Sequence, residues 1–153
     1  MAKENFAQNK KKPVKVFVSG CYDIIHAGHI QFFTEARALG NYLIVCFASD
    51  EILKKYKGRT AAIPQEHKKI ILESLRLVDE VCVGDNMQDP ILDFKNHFLR
   101  IKPDILVATE DDKNAEKKKA LCAQVGAKYV ILPKTPPKIK PISTTEIRKR
   151  VCE

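Results

Sequence analysis

Apolar runs and amphipathic segments alternate along this chain. Five short runs, 14–19, 42–48, 79–83, 104–108 and 128–132, are rich in Val, Ile, Leu and Phe and read as strands. The run at 42–48 is continuous, as in a strand covered on both faces. The segments between them have helical spacing. Phe32, Phe33, Ala36 and Leu39 mark one within 29–39, with Gly40 as its stop. Residues 49–63 read as a loop with a short helix at 50–55. Pro64 opens the next helix, with Glu66 in its first turn and Ile71, Leu75 and Val78 inward. Asp89 and Pro90 start another, with Ile91, Phe94 and Phe98 inward. A further helix spans 114–124 and ends at Gly126, and the last begins near Ser143 after a Pro/Lys-rich loop at 133–141. Strict alternation of this kind predicts a single α/β domain. Right-handed crossovers make it a doubly wound, parallel, five-stranded sheet whose ligand crevice lies beyond the carboxyl ends of the strands.

Length and charge narrow this picture. The 153 residues suffice for one domain with a real core. No apolar run approaches the roughly 20 residues of a membrane span, and the start has no signal-peptide core. A cytoplasmic protein is expected. The five cysteines include no C-x-x-C pair, and Cys46 and Cys82 lie in strand-like runs, so buried, reduced thiols are expected there. The net charge of +8 favours anionic partners. Part of it belongs to a polar leader, 1–12, expected to be disordered ahead of a folded unit at 13–153. Lys117, Lys118 and Lys119 read as a solvated helix face. Lys54, Lys55, Lys57 and Arg59 gather around Gly58 in a loop, where several cations can close over phosphate.

The candidate chemistry centres on residues 20–29, GCYDIIHAGH, where the first strand turns into the first helix. A helix N-terminus offers free N–H groups and a positive dipole end to phosphate. Gly28 lets an anion approach the backbone. His26 and His29, three residues apart, can face one ligand together. Their N–H groups suit charge that develops on phosphate oxygens during transfer. Gly20 holds the place of the first glycine of a dinucleotide fingerprint, but the rest of that fingerprint is missing, which argues against NAD. The histidines are also conceivable zinc ligands, with Cys21 and Asp23 near, yet no third ligand is evident locally, so no metal site is assigned. Cys21 as a reactive thiol lacks an accompanying base.

Residues 20–29 resemble the H-x-G-H signature of the small nucleotidyltransferases related to glycerol-3-phosphate and phosphocholine cytidylyltransferases, a group that includes the heptose-1-phosphate adenylyltransferases. Residues 55–59 resemble the lysine loop that follows their second strand, and residues 142–148, ISTTEIR, resemble the signature that opens their last helix. The segment 66–80 resembles E-H-R-K … V-D-E of the glycerol-3-phosphate type, with Lys68 in place of Arg. The similarity spans roughly 14–151 and implies a Rossmann-like fold.

The resemblance implies attack by an acceptor phosphate oxygen on the α-phosphorus of a nucleoside triphosphate, with pyrophosphate leaving and no covalent enzyme intermediate. His26, His29 and Lys57 are the expected catalytic residues. Gly20, Cys21, Tyr22, Asp23, Gly28, Asp111, Asp112, Ser143, Thr144, Thr145 and Arg148 are expected to bind the nucleotide, and Lys55 and Arg76 the acceptor. Ser143 and Glu146 also fit a capping box, and Arg76 also fits a pair with Asp79 or Glu80. Mg²⁺ is expected to arrive with the triphosphate. The acidic pair Asp111 and Asp112 favours CTP as donor, with a phosphorylated polyol of the glycerol 3-phosphate kind as acceptor. The alternative is ATP with a sugar phosphate. The loop at 134–141 departs from the R-T-E-G of the glycerol-3-phosphate type and puts base choice in question, since Lys lacks the bidentate fork of Arg. A homodimer is implied by the relatives. Two rivals remain, a basic nucleic-acid-binding module, against which the absence of a basic–aromatic groove pattern counts, and a silent nucleotide sensor.

Overall fold

A computed structural model describes residues 11–152, so most of the leader at 1–12 lies outside the described residues. Five strands form one parallel sheet: β1 (Lys15–Gly20), β2 (Tyr42–Phe47), β3 (Glu80–Val83), β4 (Ile105–Thr109) and β5 (Lys128–Leu132). Their spatial order is β3-β2-β1-β4-β5. The order reverses between β1 and β4, which places the switch point there. Among the described residues the six helices are α1 (Ala27–Arg37), α2 (Asp50–Lys57), α3 (Gln65–Glu73), α4 (Lys95–Ile101), α5 (Ala115–Val125) and α6 (Thr144–Val151). None is long and apolar enough to cross a membrane.

Helices cover both faces of the sheet, so the central strands are apolar at successive positions. Val16, Val18, Leu43, Val45, Phe47 and Val107 point to one face, where Phe33 and Ala36 of α1 and Leu72 of α3 pack on them. Phe17, Ile44, Cys46 and Leu106 point to the other, against Phe94, Phe98 of α4 and Leu121 and Cys122 of α5. Cys46 and Cys82 are buried register partners across β2 and β3, with free thiols. Burial pushes the Cys82 thiol up to about 11. Two aspartates at strand starts fix the sheet's amino edge. Asp104 accepts from Lys15 N–H at 2.8 Å, and Asp79 from Leu43 N–H at 2.8 Å.

The strands lie within a residue of their predicted positions, but three helix faces differ. Helix α3 ends at Glu73 and buries Lys68 and Leu72, while Ile71 is exposed. Leu75 and Val78 pack on the core from the turn beyond it. No helix starts at Asp89. Its carboxylate accepts from the Ile91 and Leu92 N–H groups and closes a turn, and α4 begins at Lys95. Leu39, expected inward, lies past the end of α1 and is exposed.

Gly40, expected as the stop of α1, lies beyond its Ala38 C-cap and has a steric reason instead. A Cβ there would lie 2.5 Å from the Val14 carbonyl oxygen, a backbone atom with no room to retreat. Gly40→Ala is expected to destabilise the fold by about 1–3 kcal/mol. Chemical denaturation measures this, and an unchanged midpoint contradicts the close approach.

Candidate nucleotide-transfer site

At the carboxyl edge of β1 and β4 the chain encloses a cavity of about 570 Å³. Ser19 of β1, His26 and His29 at the start of α1, and Val107 to Thr109 of β4 line it, with the 133–141 loop forming another wall. The cavity therefore sits at the switch point, where the alternation of elements predicted a crevice.

Its floor is shaped by rings. Tyr22 adopts φ of 44°, a left-handed conformation unusual for a bulky residue. Its buried ring lies on Gly20, where a Cβ would come within 2.8 Å of the ring. The same ring meets His29 edge-on at 5.4 Å and Phe33 at 5.1 Å. Gly20 thus leaves space for a tyrosine under the histidines, a role different from that of a fingerprint glycine. Gly28 has a similar constraint, since a Cβ there would lie 3.0 Å from the His26 ring.

The two histidines start the helix. His26 is the N-cap, and its Nδ1 accepts from Gly28 N–H at 3.1 Å. His29, three residues on, accepts at Nδ1 from His26 N–H at 3.3 Å. This is a capping box made of imidazoles. An Nδ1 that accepts is unprotonated, so each neutral ring carries its proton on Nε2. The ring centroids are 3.9 Å apart. Burial lowers the His26 pKa, and burial together with His26 lowers that of His29 to about 4. Among the described residues neither Nε2–H has a partner, and both residues line the cavity.

Asp23 is buried at 2 % exposure and ties the site to its surroundings. It pairs with Arg59 at 2.7 Å and with Arg148 of α6, and accepts from Ala62 N–H at 2.9 Å. Burial opposes its charge, but the two guanidiniums and the Ile63 and Ala62 N–H groups outweigh it and hold the carboxyl below its usual range. Lys68, fully buried, donates to the Cys21 carbonyl at 3.3 Å and lies 5.0 Å from the Phe47 ring centre. Burial lowers its pKa against the opposing pull of Asp23 and Asp50.

The predicted residues divide accordingly. Tyr22, His26, Gly28, His29, Asp112 and Ser143 line the cavity. Gly20, Cys21, Asp23, Thr144 and Arg148 stand behind it. Thr144 donates to the Ile24 carbonyl at 3.4 Å, and Arg148 is engaged by Asp23. Ser143 caps α6 by accepting from Glu146 N–H at 3.2 Å, but Glu146 turns to Arg150, so the expected capping box is only half formed. Thr145 is exposed. Asp111 is exposed too and pairs with Lys134.

The lysine cluster is the last turn of α2, not a loop, and Gly58 ends it with φ of 61°. Lys57 is exposed and off the cavity wall, and Lys55 donates to the Met87 carbonyl at 3.3 Å. Arg76 is exposed and lies between α3 and β3, at the amino edge of the sheet. It cannot reach the cavity of its own chain, and it pairs with neither Asp79 nor Glu80, which instead engage Arg37 and Tyr42.

Sequence reasoning missed Phe32, Glu35 and Lys118 on the cavity wall. Helical spacing carried the signal. Phe32 follows His29 by three residues and Glu35 follows Phe32 by three. Lys118 precedes the core residues Leu121 and Cys122 by three and four.

A switch-point cavity with paired imidazole donors at a helix N-terminus defines a nucleotide-handling α/β protein. The Cytidylyltransferase-like family model matches residues 17–150, and the chain belongs to this family. It is 34 % identical over 122 residues to the FAD synthase of Pyrococcus horikoshii, covering 79 % of this chain and 80 % of that one. It is 33 % identical over 146 residues to the FAD synthase of Picrophilus torridus, covering 92 % and 97 %. It is 40 % identical over 114 residues to the bifunctional protein HldE of Campylobacter concisus, covering 74 % of this chain but 23 % of that protein. In fold it matches a lipopolysaccharide core biosynthesis protein from Thermoplasma volcanium with a TM-score of 0.64 at 24 % identity, over 86 % and 99 % of the two chains. The protein is a nucleotidyltransferase.

The depressed His29 pKa has a consequence for stability. Between the unfolded value of 6.5 and the folded value of about 4 the unfolded chain binds the proton and the folded chain does not. This contribution is therefore complete above pH 6.5 and is lost as pH falls toward 4. In wild type the denaturation midpoint is expected to drop over that window, and in His29→Gln to drop less. Parallel slopes in the two proteins contradict a neutral, backbone-bonded His29.

Proposed function

We propose that this protein transfers an adenylyl group from ATP to the phosphate of a small phosphate monoester. The observation that carries the reading is the pair of neutral imidazoles, each held by the backbone at Nδ1 and presenting Nε2–H to the cavity. The acceptor's phosphate oxygen forms a bond to the α-phosphorus, the bond from that phosphorus to the β-bridging oxygen breaks, and pyrophosphate leaves. Negative charge shifts onto non-bridging and leaving oxygens, where two fixed donors stabilise it more than they stabilise the ground state. The N-terminus of α6, with the Ser143 hydroxyl on the cavity wall, supports the same end of the polyphosphate. A Lys57 bridge between the two phosphates, expected from the resemblance, requires the last turn of α2 to swing toward the cavity.

ATP takes precedence over CTP because four of the relatives most similar in sequence are named FAD synthase, and FAD is an adenine dinucleotide. The CTP and glycerol 3-phosphate preference has no counterpart in those names. Flavin mononucleotide and a sugar phosphate are the first acceptors to test. Asp112, the carboxylate nearest β4 in the cavity, is already engaged by Tyr129, Lys118 and Asn114 N–H. Mg²⁺ fits best on the triphosphate's own oxygens, where it would neutralise phosphate charge.

A pyrophosphate-release assay of ATP and CTP against flavin mononucleotide, sugar phosphates and glycerol 3-phosphate tests the reading. Turnover is expected with ATP and one of the first two acceptor classes. His26→Asn is expected to retain the fold, because Asn is a good N-cap, yet to lower kcat by about 10²–10³ through loss of the Nε2–H. No turnover of any triphosphate, with nucleic-acid binding that weakens steeply in salt, would overturn the proposal in favour of a basic binding module.

A further inference from the structure

The lysine run on α5 is not uniformly solvated. Lys117 and Lys119 are 54 % and 53 % exposed and pair with Asp89 and Glu116. Lys118 between them is only 16 % exposed and lines the cavity. Its ammonium lies 3.2 Å from Asp112 Oδ2. Asp112 is itself immobilised: the Tyr129 hydroxyl donates to Oδ2 at 2.5 Å and Asn114 N–H to Oδ1 at 3.0 Å. Burial disfavours its charge, but Tyr129, Asn114 N–H and Lys118 together hold the carboxyl below its usual range. An ammonium has three donors. Asp112 is its ion-pair partner, and among the described residues no other acceptor lies within hydrogen-bonding geometry of it.

The position of Lys118 relative to the histidines tells what those donors face. Helix α1 packs on one face of the sheet and α5 on the other. The histidines and Lys118 therefore flank the cavity from opposite sides of the β1–β4 edge. Their electrostatics differ. At the α5 side both cations on the cavity wall are ion-paired, Lys118 with Asp112 and Lys134 with Asp111. A phosphate placed there meets no net positive field. The histidine end offers unmatched N–H donors and a helix N-terminus. A nucleotide with its polyphosphate at the histidines extends its nucleoside across β1 and β4 toward Lys118.

We propose that Lys118, held in place by Asp112 and Tyr129, is a specificity-determining residue that donates a hydrogen bond to an uncharged acceptor of the donor nucleoside, a purine ring nitrogen or a ribose oxygen. This rests on the reading of the cavity as an ATP site. In that role Asp112 is a positioning residue for Lys118, and the second acidic residue of the pair acts on the nucleotide through the cation it orients.

Calorimetric titration of the full chain tests this, with ATP, its 2′-deoxy, 3-deaza and 7-deaza analogues, and inorganic tripolyphosphate. Lys118→Met is expected to weaken ATP binding about 10-fold or more, the value of a lost charge-assisted hydrogen bond, and to leave tripolyphosphate within about two-fold of wild type. The penalty that wild type shows for at least one analogue is expected to vanish in Lys118→Met. Lys118→Arg is expected to recover part of the affinity, and Lys117→Ala to behave as wild type. Thermal melting of each variant establishes that it is folded. ATP binding unchanged in Lys118→Met overturns the proposal alone, as does equal loss of ATP and tripolyphosphate. Failure of wild type to bind either ligand overturns the functional reading itself.

Discussion

The first turn of α1 makes folding and chemistry depend on the same two imidazole rings. A helix start leaves backbone N–H groups without partners, and a serine or aspartate commonly satisfies them. Here two imidazole Nδ1 atoms do so, one for Gly28 and one for His26 itself. The cap requires both rings to be neutral and fixes their tautomer. Burial lowers both pKa values, and the neighbouring His26 lowers that of His29 further, which favours the state the cap needs. The Nε2–H groups are consequently aimed and protonated before any ligand arrives, which is the preorganisation that electrostatic catalysis relies on. The glycines follow from the rings. Gly28 makes room for the His26 imidazole, and Gly20 for the Tyr22 ring that supports His29.

Around this turn lies a shell organised by one buried carboxylate whose charge is matched. Asp23 gathers the β1–α1 loop, the segment after α2 and the last helix onto one carboxylate. Lys68 adds α3 through the Cys21 carbonyl. Removing one partner from such a cluster leaves an uncompensated buried charge, which is far more costly than the pair is stabilising. The cluster holds together segments distant in sequence, and Asp23 influences the site through those segments and not by touching its contents.

The sheet was legible in sequence because strands covered on both faces read as continuous apolar runs, and β2 illustrates this with five buried residues in succession. The site's centre was legible because a helix start, a glycine and two histidines occupy consecutive positions. Tertiary partners were not. Arg148 looks like a phosphate ligand until Asp23, 125 residues away, is seen to hold it. Arg76 fits an acceptor site in a motif alignment, yet it sits at the wrong edge of the sheet. The apolar face of α3 was misjudged because Lys68 takes a core position that Ile71 seemed to claim, and a buried lysine beside Asp23 has no signature in hydrophobic period. Lys118 was hidden by its neighbours, since a run of three lysines reads as solvent-facing until helix phase is set by Leu121 and Cys122.

The two ends of the cavity are built by different means, and this bears on how one fold serves different substrates. The end proposed to hold phosphate consists of backbone-coupled groups: imidazoles that cap a helix, and the N-terminus of another helix. Changing them alters the fold's local hydrogen bonding. The opposite wall consists of side chains on α5 and of the 133–141 loop, whose prolines lack N–H groups and whose Lys134 is held, among the described residues, by its ion pair with Asp111 and by its N–H donating to the Glu110 carboxylate. Those residues can change without disturbing the sheet or the cap. On the proposed reading, nucleotide chemistry is thus tied to structural necessity, whereas base and acceptor choice rest on positions that the fold leaves free to vary, so two proteins can share the histidine turn and differ in what they join.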